Sequence, residues 1–426
     1  MEMLVVNGGS TLNGRIEVGG SKNATLPVMA AALAVDGPVL LRNVPNLVDV
    51  HTMSQLLQSL GADIRRQDDR LEIDAQDADG IVADYDLVRR MRASICVLGP
   101  LLARYGSARV SLPGGCNIGH RPIDLHLRGL TALGANIRIS GGYVVAEAGQ
   151  LRGAEVQLDG RHGSSVTATC NVMTAAALAN GDSILRGVAL EPEIDCLADF
   201  LNACGADIHR ADASTLVIRG VKQLHGSTAE MIPDRIETAT LAIAAALTQG
   251  TVQIDNAPVQ HLDAVLAALS RIGVNLQQQK TTLTIDARHS LTATDLTTAP
   301  YPGIPTDTQA QFMSLLATVQ GTSVVTDRVF PDRFMHVSEL VRMGADICRT
   351  GDAAVVRGVP HLSGAPLMAC DLRASAGLLL AALAADGQSQ IRRIYHLDRG
   401  YVRLEEKLNR LGANITRCEE SALSTV

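Results

Sequence analysis

The hydrophobic positions of this chain alternate between two patterns along its length. Ala-rich segments such as residues 23–35 and 167–179 are apolar nearly all round, which predicts helices that are buried on every side. A glycine ends each of these segments, and a short run with strand character follows, such as residues 38–42 and 251–255. The pattern therefore predicts buried helices that lead directly into strands.

A second type of helix follows each of these strands. Its apolar residues recur at i, i+3, i+4 and i+7, which predicts an amphipathic helix with one buried face. The clearest example is the set Met53, Leu56, Leu57 and Leu60. The helix then ends in a Gly-Ala-Asp/Asn signal and leads into a further pair of strands.

The Gly-Ala-Asp/Asn signal occurs six times, with Val274 in place of Ala in the fourth copy, at intervals of 68 to 73 residues. Its glycines are Gly61, Gly134, Gly205, Gly273, Gly344 and Gly412. A second glycine series keeps step with the first and consists of Gly37, Gly106, Gly181, Gly250, Gly321 and Gly387. Two independent markers at one period indicate six copies of one structural unit.

Six units predict an α/β protein of two domains with three units each. The Ala-rich helices would lie inside each domain and the sheets outside. A chain of 426 residues is also too long for one ordinary core.

The composition of the chain argues against several kinds of partner and location. The formal net charge of −7 argues against a nucleic-acid partner, which would need a basic surface. No apolar run is long enough for a membrane span, and the N-terminus does not resemble a signal peptide. The eight cysteines are scattered singly, which favours a reducing, cytoplasmic location, and no motif indicates a metal or a nucleotide cofactor.

One loop, residues 112–124, stands out chemically. Cys116 lies between glycines, and Arg121 follows five residues later as a cation that would favour the thiolate. For such a loop alone, a half-buried structural cysteine is the commoner interpretation.

The starts of the predicted buried helices are unexpectedly basic. Four of the six carry Lys or Arg at or near the first turn, where a cation opposes the helix dipole. Repetition of this conflict indicates a bound anion where the helix ends converge, in a cleft between the domains. The alternative is a set of solvated surface side chains.

Several long motifs resemble those of the UDP-N-acetylglucosamine 1-carboxyvinyltransferase family, and the similarity covers essentially the full length. These motifs are residues 19–24, 91–94, 112–116, 121–125, 233–238, 305–311, 333–336, 371–375 and 396–401. The resemblance implies two inside-out α/β domains, each of three βαβαββ repeats. The first domain would comprise residues 22–231, and the second would comprise residues 1–21 and 232–426, with the active site in the cleft between them.

The implied reaction transfers enolpyruvyl from phosphoenolpyruvate to the 3′-hydroxyl of UDP-N-acetylglucosamine and releases phosphate, the first committed step of peptidoglycan synthesis. By the resemblance, Lys22, Arg121 and Arg399 would hold the phosphate of phosphoenolpyruvate. Arg333 and Arg373 would hold its carboxylate.

The resemblance also assigns the proton transfers. Cys116 would donate a proton from the mobile loop, form a covalent adduct with phosphoenolpyruvate and be alkylated by fosfomycin. Asp307 would be the base beside the sugar hydroxyl. Arg92 would face the substrate cleft, Asn23 would contact the sugar, and Val329 would line its site.

For the nucleotide, the resemblance implies that Pro122, Ile123, Asp124 and Leu125 bind uridine, with Asp124 accepting the uracil N–H. The pyrophosphate loop departs from the family pattern. At residues 159–165 it is one residue shorter and lacks the Lys that is sometimes present, and it offers Arg161, His162 and Gly163 instead.

The expected partners are therefore the two small-molecule substrates, with no cofactor, metal, nucleic acid or membrane, and the expected state is a monomer or a weak homo-oligomer. Two alternatives stay open. One is a paralogous carboxyvinyltransferase with another acceptor, similar to the shikimate-pathway synthase, although that relative lacks the cysteine loop. The other is a non-catalytic paralog that binds a UDP-sugar and regulates a partner.

Overall fold

A computed structural model describes residues 1–114, 122–161 and 163–420 of the chain. Cys116, Arg121 and His162 lie outside the described residues. The α-helices of the described part, in chain order, are α1 (Lys22–Ala31), α2 (Val48–Ser59), α3 (Tyr85–Val88), α4 (Leu98–Tyr105), α5 (Asp124–Ala132), α6 (Val166–Ala177), α7 (Pro192–Ala203), α8 (Arg235–Leu247), α9 (Asp263–Ile272), α10 (Gln309–Leu316), α11 (Val337–Arg342), α12 (Leu372–Ala384) and α13 (Leu404–Arg410).

The strands alternate with these helices. In chain order they are β1 (Glu2–Asn7), β2 (Asn13–Glu17), β3 (Val35–Asp36), β4 (Val39–Arg42), β5 (Asp63–Gln67), β6 (Arg70–Asp74), β7 (Val82–Ala83), β8 (Ser107–Ser111), β9 (Asn136–Ser140), β10 (Tyr143–Glu147), β11 (Glu155–Gln157), β12 (Asp159–Gly160), β13 (Gly163–Ser164), β14 (Asp182–Arg186), β15 (Asp207–Asp212), β16 (Thr215–Arg219), β17 (Leu224–His225), β18 (Thr228–Glu230), β19 (Thr251–Asp255), β20 (Asn275–Gln279), β21 (Thr282–Asp286), β22 (Leu296–Thr298), β23 (Thr322–Asp327), β24 (Asp346–Thr350), β25 (Ala353–Arg357), β26 (Pro366–Met368), β27 (Gln388–Arg392) and β28 (Asn414–Glu419).

The described residues form two compact units. One unit contains residues 20–114 and 122–232, and the other contains residues 1–19 and 233–420. We call them the Lys22 unit and the Asp307 unit, after a predicted site residue in each. The chain passes from one unit to the other between Gly19 and Gly20 and between Ile232 and Pro233. The sequence prediction placed these boundaries at 21/22 and 231/232.

Each unit contains three four-stranded sheets of one topology. In the Lys22 unit the strand orders are β18-β4-β6-β5, β7-β8-β10-β9 and β11-β14-β16-β15. In the Asp307 unit they are β2-β19-β21-β20, β22-β23-β25-β24 and β26-β27-β1-β28. The first two strands of each sheet are parallel and the remaining pairs are antiparallel. This is the predicted βαβαββ repeat, present in six copies.

The N-terminal segment completes two of these sheets. Strand β2 is the first strand of the sheet that contains β19, and β1 lies between β27 and β28. The first nineteen residues therefore belong to the Asp307 unit, although the next two hundred belong to the Lys22 unit.

The Ala-rich helices are buried as predicted. Every residue of α8 is buried, and in α12 all but the last residue is. In the Asp307 unit α8, α10 and α12 pack against one another, and in the Lys22 unit α6 contacts both α1 and α4. The helix bounds differ slightly from the prediction: α1 begins at Lys22 and gives way to a 3₁₀ turn at Ala32–Ala34, and α6 spans Val166–Ala177.

The six glycines of the Gly-Ala-Asp/Asn signal share one backbone conformation. Their φ angles lie between 92° and 105°, the left-handed region that favours glycine. The second series is less uniform, because Gly250 does not have positive φ and Gln249, at 51°, takes that conformation instead. The repeats are thus fixed most strictly where the second helix of each copy ends.

Within the described ranges, no helix is long and apolar enough to cross a membrane. The same ranges contain no group of three or more His, Cys, Asp or Glu side chains that could hold a metal ion.

Candidate active site

In the Lys22 unit, the first predicted site residue forms a buried ion pair. Lys22 is the first residue of α1, and the Ser21 hydroxyl caps this helix by accepting the Ala24 N–H. The Lys22 Nζ lies 3.0 Å from the Asp49 Oδ2, in the first turn of α2, and the two side chains are only 10% and 3% exposed. Asn23 follows and is half-buried. The structure thus places a fixed ammonium group at the start of a buried helix.

Arg92 lies beside the predicted uridine-binding run. Its Nη2 donates to the Pro122 carbonyl at 3.2 Å. Pro122 and Asp124 are exposed and Ile123 is half-buried, whereas Leu125 is buried. Pro122 and the Asp124 carboxylate therefore face solvent at the start of α5, where a ligand can reach them.

His126, two residues after Asp124, is buried and hydrogen-bonded through both ring nitrogens. The Asn171 Oδ1 accepts the Gly99 backbone N–H at 2.8 Å, so its Nδ2 is the donor that lies 2.8 Å from the His126 Nδ1. The His126 Nε2 must then carry the proton and donate to the Thr167 hydroxyl at 3.1 Å. Burial lowers the pKa of His126 to about 3, and the nearby Arg92 adds to this effect. The ring is neutral at physiological pH and ties α5 to the first turn of α6.

The altered loop at residues 159–165 forms a short hairpin before α6. Strands β12 and β13 pair, Arg161 is exposed at the tip, and Gly163 has a φ of 82°. The Arg128 side chain from α5 donates to the Asp159 carbonyl. The Ser165 hydroxyl caps α6 by accepting the Ala168 N–H. Helix α5 is thus attached to the segment on both sides of the hairpin tip, by Arg128 before it and by His126 after it.

In the Asp307 unit, three predicted residues meet in one cluster. The Asp307 Oδ1 lies 2.8 Å from the Arg333 Nη1, and its Oδ2 lies 2.9 Å from the Arg373 Nη2. Arg373 is 1% exposed and Arg333 is 6% exposed. Burial disfavours the Arg373 cation, but Asp307, Tyr401 and Asp234 together more than offset this, so the pKa of Arg373 is raised. Two guanidinium groups therefore hold one carboxylate in this unit.

Asp327, a buried acid, hydrogen-bonds to two segments beside this cluster. The Asp327 Oδ2 accepts the Thr306 hydroxyl at 2.6 Å, and its Oδ1 accepts the Val329 backbone N–H at 3.0 Å. Asp327 is fully buried. It connects the half-buried Val329 to Thr306, the residue that precedes Asp307, although the two lie 23 positions apart in the sequence.

Polar residues of the central helices support the same cluster. The Arg373 guanidinium lies 5.2 Å above the Tyr401 ring, and the Tyr401 hydroxyl lies 2.8 Å from that of Thr240. The Gln311 Nε2 donates to the Asp307 carbonyl at 2.9 Å. Arg399 ends a 3₁₀ turn at Ile394–Arg399 and is half-buried.

The basic helix starts are mostly not solvated. Lys22, Arg235 and Arg373 are 8%, 7% and 1% exposed, so the interpretation as solvated surface side chains is wrong for them. Each of these cations has a partner within its own unit. Lys22 pairs with Asp49, the Arg235 guanidinium lies over the Tyr301 ring, and Arg373 pairs with Asp307. Arg92 is half-buried.

Cys116, Arg121 and His162 lie outside the described residues. The seven other cysteines are free thiols, and four of them are buried. Burial raises the pKa of Cys96 and of Cys204 to about 12, so these thiols stay protonated. Cys348, on β24, is exposed.

Sequence reasoning missed three residues that make buried contacts within their own units: Asp49 and His126 in the Lys22 unit, and Asp327 in the Asp307 unit. Asp49 and Asp327 are buried acids next to predicted elements, which hydropathy patterns treat as ordinary polar positions. His126 directly follows the 121–125 motif, and that adjacency was the available signal. Asp49 pairs with Lys22, which is 27 positions away, and His126 contacts Asn171, which is 45 positions away. One sequence alone does not show such pairs.

The chain is similar to known proteins over nearly its whole length. The sequence model of the family described as EPSP synthase (3-phosphoshikimate 1-carboxyvinyltransferase) matches residues 6–408. The chain is 50% identical to the UDP-N-acetylglucosamine 1-carboxyvinyltransferase of Desulfatibacillum aliphaticivorans, covering 98% of this chain and 100% of the relative. It is 48% identical to the enzyme of that name from Myxococcus xanthus, covering 98% and 99%.

Solved structures share the fold. The enolpyruvyl transferase NikO from Streptomyces tendae is 28% identical, with a TM-score of 0.88 and coverage of 98% of both chains. EPSP synthase from Acinetobacter baumannii is 17% identical, with a TM-score of 0.74 and coverage of 98% of this chain and 100% of the other. The second likeness bears on the fold alone.

Proposed function

Since the chain belongs to the EPSP synthase family, and within it to the UDP-N-acetylglucosamine 1-carboxyvinyltransferases, we propose that it transfers the enolpyruvyl group of phosphoenolpyruvate to the 3′-hydroxyl of UDP-N-acetylglucosamine. Phosphate is the second product. The chain is a transferase of peptidoglycan synthesis.

The reaction has two steps, and the proton balance defines the groups that it needs. In the first step the sugar oxygen bonds to C2 of phosphoenolpyruvate, a base takes the hydroxyl proton, and an acid protonates the methylene carbon. In the second step a proton leaves the new methyl group, the bond from C2 to the phosphate oxygen breaks, and phosphate departs. One acid, one base and several cations are therefore sufficient.

The observation that carries this proposal is the cluster of Asp307 with Arg333 and Arg373. We assign the base to Asp307 and the carboxylate of phosphoenolpyruvate to the two arginines. Their side chains already hold a carboxylate of the chain itself, at 2.8 and 2.9 Å. A charge-assisted geometry of this kind, with one guanidinium on each oxygen, suits a planar carboxylate ligand.

The remaining roles follow the sequence assignments. Lys22, Arg121 and Arg399 would neutralise the phosphate, and Cys116 would supply the proton to the methylene carbon. Buried cations such as Lys22 support this because they are held in place before the charged ligand arrives.

For the nucleotide, we propose that Pro122 to Leu125 bind uracil. The hairpin with Arg161 would then face the pyrophosphate. Gly163 and the capped start of α6 support this, because backbone N–H groups at a helix N-terminus favour anions. Arg161 would replace the charge of the Lys that this loop lacks.

Phosphate release from phosphoenolpyruvate tests the proposal. The assay compares UDP-N-acetylglucosamine, UDP-N-acetylgalactosamine and shikimate 3-phosphate as acceptors, with Cys116→Ala as a control. We expect release with UDP-N-acetylglucosamine alone, and loss of release in the variant. Release with shikimate 3-phosphate would contradict the assigned acceptor.

A protein that binds UDP-N-acetylglucosamine tightly without releasing phosphate would instead support the regulatory alternative. The cytoplasmic location, the monomeric or weakly oligomeric state and the independence from metals stay predictions. Cell fractionation, light scattering and an assay with chelator test them in turn.

A further inference from the structure

An arginine recurs at one position of the repeat without any role in the assignments above. In four of the six copies, the fifth residue after the Gly of the Gly-Ala-Asp/Asn signal is arginine. These residues are Arg66, Arg210, Arg349 and Arg417. Each lies on the strand that follows the second helix, and its side chain reaches back towards the start of that helix.

Arg417, on β28, makes the most extensive contacts of the four. Its Nη1 and Nη2 lie 2.9 and 2.7 Å from the two oxygens of Asp398, which is a bidentate pair. Its Nε donates to the Glu405 Oε1 at 2.7 Å, and its Nη1 also lies 3.0 Å from the Glu2 Oε2. The Arg417 side chain is 11% exposed, so the pair is shielded from solvent.

Arg349, on β24, makes the equivalent contacts one repeat earlier. Its Nη2 donates to the Pro331 carbonyl at 3.1 Å and to the Asp332 Oδ1 at 3.0 Å. Its guanidinium also lies 5.4 Å from the centre of the Phe334 ring. Arg349 thus contacts the residues on both sides of Arg333.

The acid that each arginine holds directly precedes a predicted substrate arginine. Asp332 is followed by Arg333, and Asp398 is followed by Arg399. We propose that Arg417 and Arg349 are positioning residues that fix the backbone of Arg399 and Arg333 so that both guanidinium groups meet phosphoenolpyruvate in one geometry. This inference rests on the proposed function, because it concerns the binding of that substrate.

The other two copies show that the contact itself is a property of the repeat. Arg210 lies 2.6 Å from the Asp195 Oδ1, and Arg66 donates to the Val44 carbonyl at 2.9 Å. Neither partner adjoins a predicted substrate arginine. The repeat supplies a structural clamp, and in two copies of the Asp307 unit that clamp holds a substrate-binding segment.

The guanidinium fork matters because Asp398 is held at both oxygens. A Lys ammonium is a point charge on a flexible stem and cannot reproduce two parallel hydrogen bonds. Loss of the fork should leave Arg399 charged but misplaced, which weakens substrate binding without removing a substrate contact.

The experiment compares Arg417→Met, Arg417→Lys and Arg349→Met with the matched control Arg210→Met. The KM for phosphoenolpyruvate and the KM for UDP-N-acetylglucosamine are measured by phosphate release. The Kd for phosphoenolpyruvate is measured separately by calorimetry with UDP-N-acetylglucosamine present, and for this measurement each variant and the wild type carry Cys116→Ala so that no turnover consumes the ligands. Thermal unfolding is recorded for every variant.

We expect Arg417→Met and Arg417→Lys to raise the KM and Kd for phosphoenolpyruvate by about 10-fold to 100-fold. Arg349→Met should raise them less, because its pair with Asp332 is more exposed, at 41% and 72% against 11% and 25% for the pair of Arg417 with Asp398. Arg210→Met should lower thermal stability and leave both constants unchanged. The KM for UDP-N-acetylglucosamine should stay constant throughout.

Wild-type affinity for phosphoenolpyruvate in both Arg417 variants would overturn the inference, and so would an equal loss in Arg210→Met. If Arg417→Met does not fold, the more exposed Arg349→Met decides the question. A wild-type protein that binds phosphoenolpyruvate but releases no phosphate would refute the proposed function alone.

Discussion

At the scale of single residues, Asp307 occupies the position that the proposed function assigns to the carboxylate of phosphoenolpyruvate. Its two oxygens pair with one nitrogen each of Arg333 and Arg373, the two cations assigned to phosphoenolpyruvate. A carboxylate ligand that binds these two nitrogens must therefore share them with Asp307 or displace it. This exchange would release the Asp307 carboxylate towards the sugar hydroxyl when phosphoenolpyruvate is bound.

Replacing the Asp307 carboxylate by an amide tests its role as base. Asp307→Asn keeps the size of the side chain but removes its ability to take a proton. We expect kcat to fall by about 10²-fold to 10⁴-fold, the usual contribution of a general base. Asp346→Asn, on an exposed pair with Arg357, should keep wild-type kcat. Unchanged kcat in Asp307→Asn would exclude the base.

His126 should make stability depend on pH. Its folded pKa is about 3 and its ordinary value is 6.5, so below pH 6.5 the unfolded chain takes up a proton that the folded chain does not. Stability from this residue is complete above pH 6.5 and is lost as the pH falls, by about 2 kcal/mol at pH 5. Urea unfolding at pH 7 and pH 5 should show a smaller loss in His126→Gln than in wild type. An equal loss in both would contradict the assignment.

Sequence reasoning at this scale found the charged residues but not their partners. Lys22, Arg333 and Arg373 stand in long motifs and could be named from the sequence. Asp49 could not, because only folding brings it within 3.0 Å of Lys22. The pair of Arg417 with Asp398 was also not predictable, since Asp398 lies in the 3₁₀ turn and Arg417 lies 19 positions later on β28.

At the scale of the elements, the repeat is fixed by backbone conformation. Gly134 has a φ of 98°, and an added Cβ would meet only the Gln150 carbonyl, at 4.0 Å. The cost of a side chain there is therefore conformational and not steric.

The pair Gly134→Ala and Gly149→Ala isolates this cost. Gly134→Ala should lower the unfolding free energy by about 1–2 kcal/mol because of its left-handed backbone. Gly149 has no positive φ and nothing within 4 Å of an added Cβ, so Gly149→Ala should be neutral or stabilise by about 0.4–1 kcal/mol. Urea unfolding measures both, and equal effects would contradict this account of the repeat.

The helices and strands of the repeat could be predicted because period and burial agree in every copy. The starts of two buried helices could not. Residues Arg92–Val97 and Thr306–Thr308 form 3₁₀ turns without a side-chain cap, whereas Ser21, Ser165, Asp234 and Asp371 cap the other four. Apolar periodicity does not distinguish 3₁₀ from α geometry over one or two turns.

At the scale of the whole molecule, the N-terminal strand closes the Asp307 unit. Strand β1 pairs with β27 and β28, which lie near the opposite end of the chain. Leu4 is fully buried in this strand, while Val5 is half-buried. The resemblance implied this return of the N-terminus, whereas the repeat pattern alone did not show which unit the first residues join.

Truncating Leu4 tests the contribution of β1. Leu4→Ala should lower the unfolding free energy of this unit by about 2–5 kcal/mol, and Val5→Ala should cost less because less apolar surface is lost. Urea denaturation with the two variants side by side measures the difference. Equal, small effects would show that β1 is dispensable.

The most direct measurement of the central claim is the identity of the product. Phosphoenolpyruvate and UDP-N-acetylglucosamine are incubated with the protein, and the nucleotide product is analysed by mass spectrometry and NMR. We predict an enolpyruvyl ether at the 3′-oxygen of the sugar, formed in equal amount with phosphate. Unmodified UDP-N-acetylglucosamine, or an enolpyruvyl group at any other position, would contradict the account.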